Sequence, residues 1–281
     1  MQHPFLHFLQ EELNGLYSGR EASVLMQLIF EEICGTPFRG ITADKINHLS
    51  GLEIGKAEDI VRRLKRGEPI QYILGKTEFY GLSFRVTPDV LIPRPETEEL
   101  VEWILAGDRQ SGRSVLDIGT GSGCIAVTLA EKMRGAEVHA WDVSERALRV
   151  ASENARLNGV AVRFSVRDIF QPVDGCPLFD VIVSNPPYVT ESEKADMEVN
   201  VLGFEPHTAL FVADDNALLF YERIADVALV LLREGGELYF EINREKGAEV
   251  STLLRSKGFI RMELRKDISG NDRMVRAVRP E

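Results

Sequence analysis

The sequence predicts an α/β protein, with a mainly parallel sheet covered on both faces, preceded by a small helical bundle and a β-hairpin linker. Three observations carry this. As far as Lys65, apolar residues recur at three- and four-residue steps. Beyond Gly112, short apolar strand-like runs alternate with helical stretches, the pattern of a parallel sheet with helical crossovers. One of those runs passes directly into a turn with three glycines in five residues, Gly119-Thr120-Gly121-Ser122-Gly123.

In chain order, Phe5, Phe8, Leu9, Leu13 and Leu16 mark a first helix, and Leu25, Leu28, Ile29 and Ile33 a second that ends at Gly35 and Pro37. Thr42 to Lys45 opens a third helix and Ala57 to Lys65 forms a fourth, stopped by Gly67. Arg62, Arg63, Lys65 and Arg66 read as a solvated helix end. Phe79 to Val86 reads as a hairpin turning at Gly81. Leu91 to Thr97 leads into a helix through Leu100 and Ile104, and Arg94 is expected to pair with an acid such as Glu96 or Glu98, contact with a ligand being its other reading. Strands are expected at Ser114 to Ile118, Glu137 to Asp142, Val162 to Val166, Phe179 to Ser184 and Glu237 to Ile242, with closing strands around Phe259 to Leu264 and Met274 to Val278. Between them, helices run from Cys124 to Met133, from the Ser144 cap to Leu157, from Asn216 to Leu232 before Gly235-Gly236, and from Glu245 to Ser256. These elements divide the chain into a bundle over residues 1–75, a linker over 76–95 and an α/β domain over 96–281.

The bulk numbers narrow the function classes. A length of 281 residues allows two domains, and 44% hydrophobic with 27% charged residues suits a globular chain with a sizeable core. A net charge of -11 argues against bulk nucleic-acid binding, which needs basic surface. Cys34, Cys124 and Cys176 are odd in number and far apart, which fits neither a disulfide framework nor a zinc site, and no metal is expected. The segment from Met1 to Glu12 lacks the basic start and apolar run of a targeting signal, and no stretch reaches membrane-span length. A soluble cytoplasmic protein is expected, monomeric because no sustained apolar face is left over.

Asn185-Pro186-Pro187-Tyr188 follows the buried run Val181-Ile182-Val183, so Asn185 stands where a strand ends. In open α/β sheets ligands bind at the carboxyl ends of strands. The Asn185 amide oxygen, the Pro186 carbonyl and the Tyr188 ring suit a planar NH2 group: two acceptors for two hydrogens, and a π-face against its plane. A proline-stiffened turn is the plainer reading of the same four residues. The glycine turn lets the backbone approach a ligand at a helix N-terminus. Its third glycine comes one place early for a dinucleotide fingerprint, and a nucleoside bearing an amino acid fits better. Asp142 ends the next strand at the distance where a carboxylate meets ribose hydroxyls. Asp168 is placed to accept from an adenine amino group and Phe170 to cover the base, although a helix cap and a core residue read equally well. Asp117, inside the first strand, is expected near the ammonium of the same ligand, acting through bridging groups.

These residues resemble the class I S-adenosylmethionine-dependent methyltransferases, a Rossmann-like fold with a seven-stranded, mostly parallel sheet. Within them the chain is similar to the HemK/PrmC protein-glutamine methyltransferases. "GEPIQYILGKTEFYGLSFRVTPDVLIPRPETEELV", "VLDIGTGSGCIAV", "FDVIVSNPPYV", "EPHTAL" and "KDISGNDR" carry the resemblance in order. It implies N5-methylation of the glutamine in the Gly-Gly-Gln loop of peptide chain release factors, with S-adenosylmethionine as donor and S-adenosylhomocysteine as product. Gly119, Thr120, Gly121, Ser122, Gly123, Asp142, Asp168, Phe170 and Asn185 would bind the cofactor. Asn185, Pro186, Pro187 and Tyr188 would hold the glutamine, with Asn185, Pro186 and Tyr188 catalytic, and the N-terminal bundle would hold the release factor. Two departures stand out: Phe170 replaces a common tryptophan, and Asn243-Arg244-Glu245 replaces a stretch with a common Gly and Gln. An amino methyltransferase for nucleic-acid bases would use the same Asn185 clamp, and a release-factor scaffold without catalysis would need neither clamp nor glycine turn.

Overall fold

The computed structural model describes residues 4–107, 110–197 and 199–281. Of the N-terminal stretch read above, Met1, Gln2 and His3 lie outside the described residues. The chain opens with helices α1 (Pro4–Asn14), α2 (Gly19–Cys34), α3 (Ala43–Asn47), α4 (Gly51–Leu64) and α5 (Ile70–Leu74). Helix α4 starts well before Ala57, because Ser50 and Glu53 form a capping box at its N-terminus. Helix α5 is a single turn closed by Gly75 at φ +69°, too short for a periodic signal. Leu9, Leu13, Ile29, Phe30, Ala57 and Val61 form the centre of the core these helices share.

A hairpin follows, β1 (Lys76–Phe79) and β2 (Leu82–Arg85), with Tyr80 and Gly81 as its two turn residues. Helix α6 (Pro95–Gly107) begins with proline at its first position, where the missing N–H costs nothing. The alternating region comprises β3 (Ser114–Ile118), α7 (Cys124–Lys132), β4 (Glu137–Asp142), α8 (Glu145–Leu157), β5 (Val162–Val166) and β6 (Phe179–Ser184). After short elements β7 (Val189–Thr190), α9 (Val199–Phe204), α10 (His207–Leu210) and β8 (Phe211–Val212) come α11 (Leu219–Leu231) and β9 (Leu232–Glu241). Helix α12 (Gly247–Ser256) and strands β10 (Ile260–Lys266) and β11 (Asp272–Val278) complete the chain.

The chain forms two compact units, one of α1 to α5 with α9, the other of the remaining elements. In the second unit, seven strands lie in the order β10-β11-β9-β6-β3-β4-β5, parallel except for β11. Alternate residues of the strands feed two cores. Val115, Val181, Val183 and Tyr239 pack with α6 and α7 on one face, and Leu116, Ile182, Leu238 and Phe240 pack with α11 and α12 on the other. Gly235 and Gly236 do not follow a helix end as expected. The helix stops at Leu231, and residues 233–236 bulge out between the pairs Phe179–Leu232 and Val181–Glu237, where Gly235 and Gly236 bond the backbone of Arg279. Among the described residues no helix is long and apolar enough to cross a membrane.

The chain leaves β3 toward β4 and β5, then returns to place β6 on the other side of β3. A crevice therefore opens at the carboxyl end of β3, where strand order reverses.

Candidate active site

That crevice is a cavity of about 490 Å³ in the second unit. Its wall follows the strand ends: Asn185, Pro186 and Pro187 after β6, Gly119 to Ser122 after β3, Asp142 to Ser144 after β4, and Arg167 to Phe170 after β5. Thr97 of α6, Cys124 of α7, Pro206, Thr208 and Phe211 close the remaining sides.

The glycine turn is fixed from below. Gly119 and Thr120 donate to the Trp141 carbonyl at 2.8 and 3.0 Å, which binds the turn to the neighbouring strand. Gly119, Gly121 and Gly123 all have positive φ, and a Cβ on Gly121 would meet nothing within 4 Å, so its bare backbone faces open space. Gly123 differs from the other two. It caps α7, and a Cβ there would lie 3.0 Å from Ala151 Cβ, so this glycine serves helix packing and is not on the cavity wall. The Asn154 amide donates to Ser122 O at 2.8 Å and to Arg85 O at 3.0 Å, tying the turn to the hairpin.

Asp142 accepts from Gly121 N and Ser144 N, both at 2.9 Å. Burial raises its pKa against these two bonds. Asp168 accepts from Phe170 N at 2.9 Å and caps a turn, with no helix following. Phe170 is 44% exposed on the wall, edge-on to Phe220 at 5.7 Å, so it is not a core residue. Arg223 of α11 donates to Ile169 O at 2.6 Å and ties this turn to that helix. Asp117 is fully buried beneath the glycine turn, not on the wall. Thr120 donates to one of its oxygens at 2.6 Å, the other has no hydrogen-bond partner among the described residues, and burial pushes its pKa up to about 7. The Cys124 thiol is pushed up to about 12 by burial and is inert at neutral pH.

Asn185 sits at the other end. Its Nδ2 donates to Thr97 Oγ1 at 3.3 Å, and among the described residues neither its Oδ1 nor the Pro186 carbonyl has a partner. Neither acceptor is tied to a protein donor, and both residues line the crevice, although Pro186 itself is buried. Thr97 in turn donates to Glu241 Oε2 at 2.6 Å. Tyr188 is the predicted member that the structure does not bring to the wall. Its ring packs against the α11-side core and its hydroxyl donates to Glu241 Oε1 at 3.2 Å. Burial, then the Glu241 charge, raise the Tyr188 pKa. Arg94 pairs with Glu205 at 2.6 Å, not with Glu96 or Glu98; Glu205 is 4% exposed and also accepts from Ile92 N. That pair fastens the chain just before Pro206 to the segment entering α6. In the departing stretch, the Asn243 side chain donates to Glu193 Oε1 at 3.1 Å and to Tyr188 O at 3.4 Å, so it braces the loop after Asn185.

A seven-stranded sheet with β11 reversed, and a strand-end crevice carrying both a glycine turn and a free amide acceptor, is found beside matching relatives. A family model described as "Methyltransferase small domain" matches residues 97–202, and one described as "PrmC N-terminal domain" matches 6–75. The chain is 44% identical to the release factor glutamine methyltransferase of Bacteroides thetaiotaomicron, over 97% of this chain and 98% of that one. It is 49% identical to that of Flavobacterium psychrophilum, over 81% of each. The chain belongs to the release factor glutamine methyltransferase family. A methyltransferase structure from Pyrococcus furiosus shares the fold, with TM-score 0.52 and 20% identity over 72% of this chain and 91% of that one.

Against that family background, the residues that sequence reasoning missed are Thr97, Asn154, Glu205 and Glu241. Each meets its partner from a distant part of the chain: Asn154 and Arg85 are 69 residues apart, Thr97 and Glu241 144. A buried acid at a strand end was the one available signal, since Glu241 follows the apolar run Leu238-Tyr239-Phe240.

Proposed function

We propose that the crevice joins S-adenosylmethionine to the side chain of a glutamine, and that the chain methylates N5 of the Gly-Gly-Gln glutamine of peptide chain release factors. The free acceptor pair, Asn185 Oδ1 and the Pro186 carbonyl, carries this reading. Two lone-pair acceptors match the two hydrogens of a primary amide.

S-adenosylmethionine supplies an electrophilic methyl group on a sulfonium. The residues present fit it. The bare backbone at Gly121 leaves room for a nucleoside, Asp142 reaches the same rim with lone pairs to spare for ribose hydroxyls, and Phe170 offers an exposed ring for a base. Asp117, buried beneath the turn, supports it from below by accepting from the Thr120 hydroxyl.

An amide nitrogen is a weak nucleophile because its lone pair is delocalised into the carbonyl. Asn185 and Pro186 present fixed negative dipole ends to the amide hydrogens, which orients the nitrogen and stabilises positive charge as it forms there. Tyr188 supports the loop through Glu241 and is assigned that role rather than stacking. No strong base is needed beforehand, since the proton leaves after the nitrogen has been alkylated. Residues 1–75 are assigned to holding the release factor, whose tip delivers the glutamine.

The experiment is mass spectrometry of a release factor incubated with the full chain and S-adenosylmethionine. One added methyl on the glutamine of Gly-Gly-Gln is expected. Methyl groups elsewhere on the release factor, or on RNA supplied in its place, contradict the assignment.

A further inference from the structure

We propose that Thr97 and Glu241 are positioning residues that decide which end of the Asn185 amide faces the crevice. The inference rests on the glutamine-methylating reading above and deepens it. Thr97 has a single hydroxyl hydrogen, and Glu241 Oε2 receives it at 2.6 Å; the other carboxylate oxygen receives the Tyr188 hydroxyl at 3.2 Å. A carboxylate has no hydrogen to offer, so the Thr97 oxygen is left to accept from its remaining neighbour. That neighbour is Asn185 Nδ2 at 3.3 Å. An amide that gives its NH2 to Thr97 must turn its oxygen the other way, toward the substrate. Polarity thus passes from Glu241 through Thr97 to Asn185, and the Oδ1 end stays free for the glutamine.

Two further observations support a role beyond packing. Glu241 is 1% and Thr97 3% exposed, and a buried carboxylate is expensive unless hydrogen-bonded donors surround it. The loop that carries Asn185 cannot set the amide by itself, because Pro186 and Pro187 have no N–H to fix its oxygen. Burial raises the Glu241 pKa, opposed by the Thr97 bond and the Arg273 charge.

Three variants of the full chain test this: Thr97→Val, Thr97→Ser and Glu241→Gln. Valine matches threonine in shape but frees the Asn185 amide to rotate. The glutamine variant introduces an NH2 that can donate to Thr97, whose hydrogen then turns to Asn185 Oδ1 and reverses the amide. Methyl transfer to an intact release factor gives kcat and KM, calorimetry gives the cofactor Kd, and each melting temperature is recorded. Thr97→Val and Glu241→Gln are expected to lower kcat about ten- to thirtyfold with cofactor Kd changed less than about threefold, and Thr97→Ser to restore most of the turnover that valine loses. Wild-type kcat in both Thr97→Val and Glu241→Gln overturns the inference. So does a serine variant as impaired as valine, or a loss shared equally by kcat, cofactor Kd and melting temperature. If Glu241→Gln does not fold, the valine and serine pair decides. A wild-type chain that leaves the glutamine unmodified defeats the functional reading itself, and this inference with it.

Discussion

The two ends of the crevice are built in different ways. At the end assigned to the cofactor, the carboxylates are held by backbone N–H groups of the strand-end turns: Asp142 by Ser144 two residues on and by Gly121 of the adjoining turn, Asp168 by Phe170 two residues on. At the end assigned to the glutamine, Asn185 is held by Thr97, 88 residues earlier, which is held by Glu241, 144 residues later still. Backbone donors of strand-end turns make the first end, a relay of side chains from distant elements the second. The donors to Asp142 and Asp168 are main-chain groups that a side-chain substitution leaves in place, whereas the second end can be disturbed from α6 or β9 without touching the loop that does the work.

Several variants sharpen or break this contrast, and the largest effect is expected beneath the glycine turn. The Asp117 carboxyl is raised from 3.8 to about 7 by burial, so the folded state keeps a proton that the unfolded chain has lost. The wild type should lose stability relative to Asp117→Asn by about 4 kcal/mol as pH rises from about 4 to about 7, and no further above. Denaturant titrations of the cofactor-free proteins at several pH values check it. Parallel curves for the two proteins contradict the buried, proton-holding state.

Asn185→Ala should cost about 3 kcal/mol, or about a hundredfold in turnover, with cofactor affinity nearly kept. Asp142→Asn should divide the other way. Losing a charged acceptor raises the cofactor Kd by about 2 kcal/mol, roughly thirtyfold, as calorimetry would show. Among the glycines, Gly123→Ala meets both a φ of +80° and the Ala151 contact, so thermal unfolding should register about 2 kcal/mol, against about 1 kcal/mol for the uncrowded Gly121→Ala. The smallest change belongs to Phe170→Ala, about 1 kcal/mol or fivefold in cofactor Kd. A larger loss in turnover than in affinity there would blur the division between the two ends.

The same contrast decides what could be read from sequence. Ser144 as a cap, Leu157 as a helix end and the glycine turn after β3 are local signals, and the structure has them in those places. The mainly parallel sheet with helical crossovers followed from the alternation of strands and helices. The start of α4 was missed because the Ser50 capping box lies ahead of the apolar pattern, and the start of β9 because Gly235-Gly236 looks like a helix stop while serving as a bulge. At the site, Asp142 and Asn185 could be placed on strand ends by counting. Arg94 pairs with Glu205 rather than with the acids next to it in sequence, and the Tyr188 hydroxyl turns back to Glu241. Both contacts concern side chains whose partners arrive only when distant elements pack together.

The division of labour along the crevice is tested most directly by single-turnover methyl transfer at rising S-adenosylmethionine, comparing Asp142→Asn with Asn185→Ala. Asp142→Asn should climb back to the wild-type rate once the cofactor saturates, while Asn185→Ala should stay about a hundredfold slower at every concentration. Full recovery of Asn185→Ala, or none in Asp142→Asn, would contradict the account.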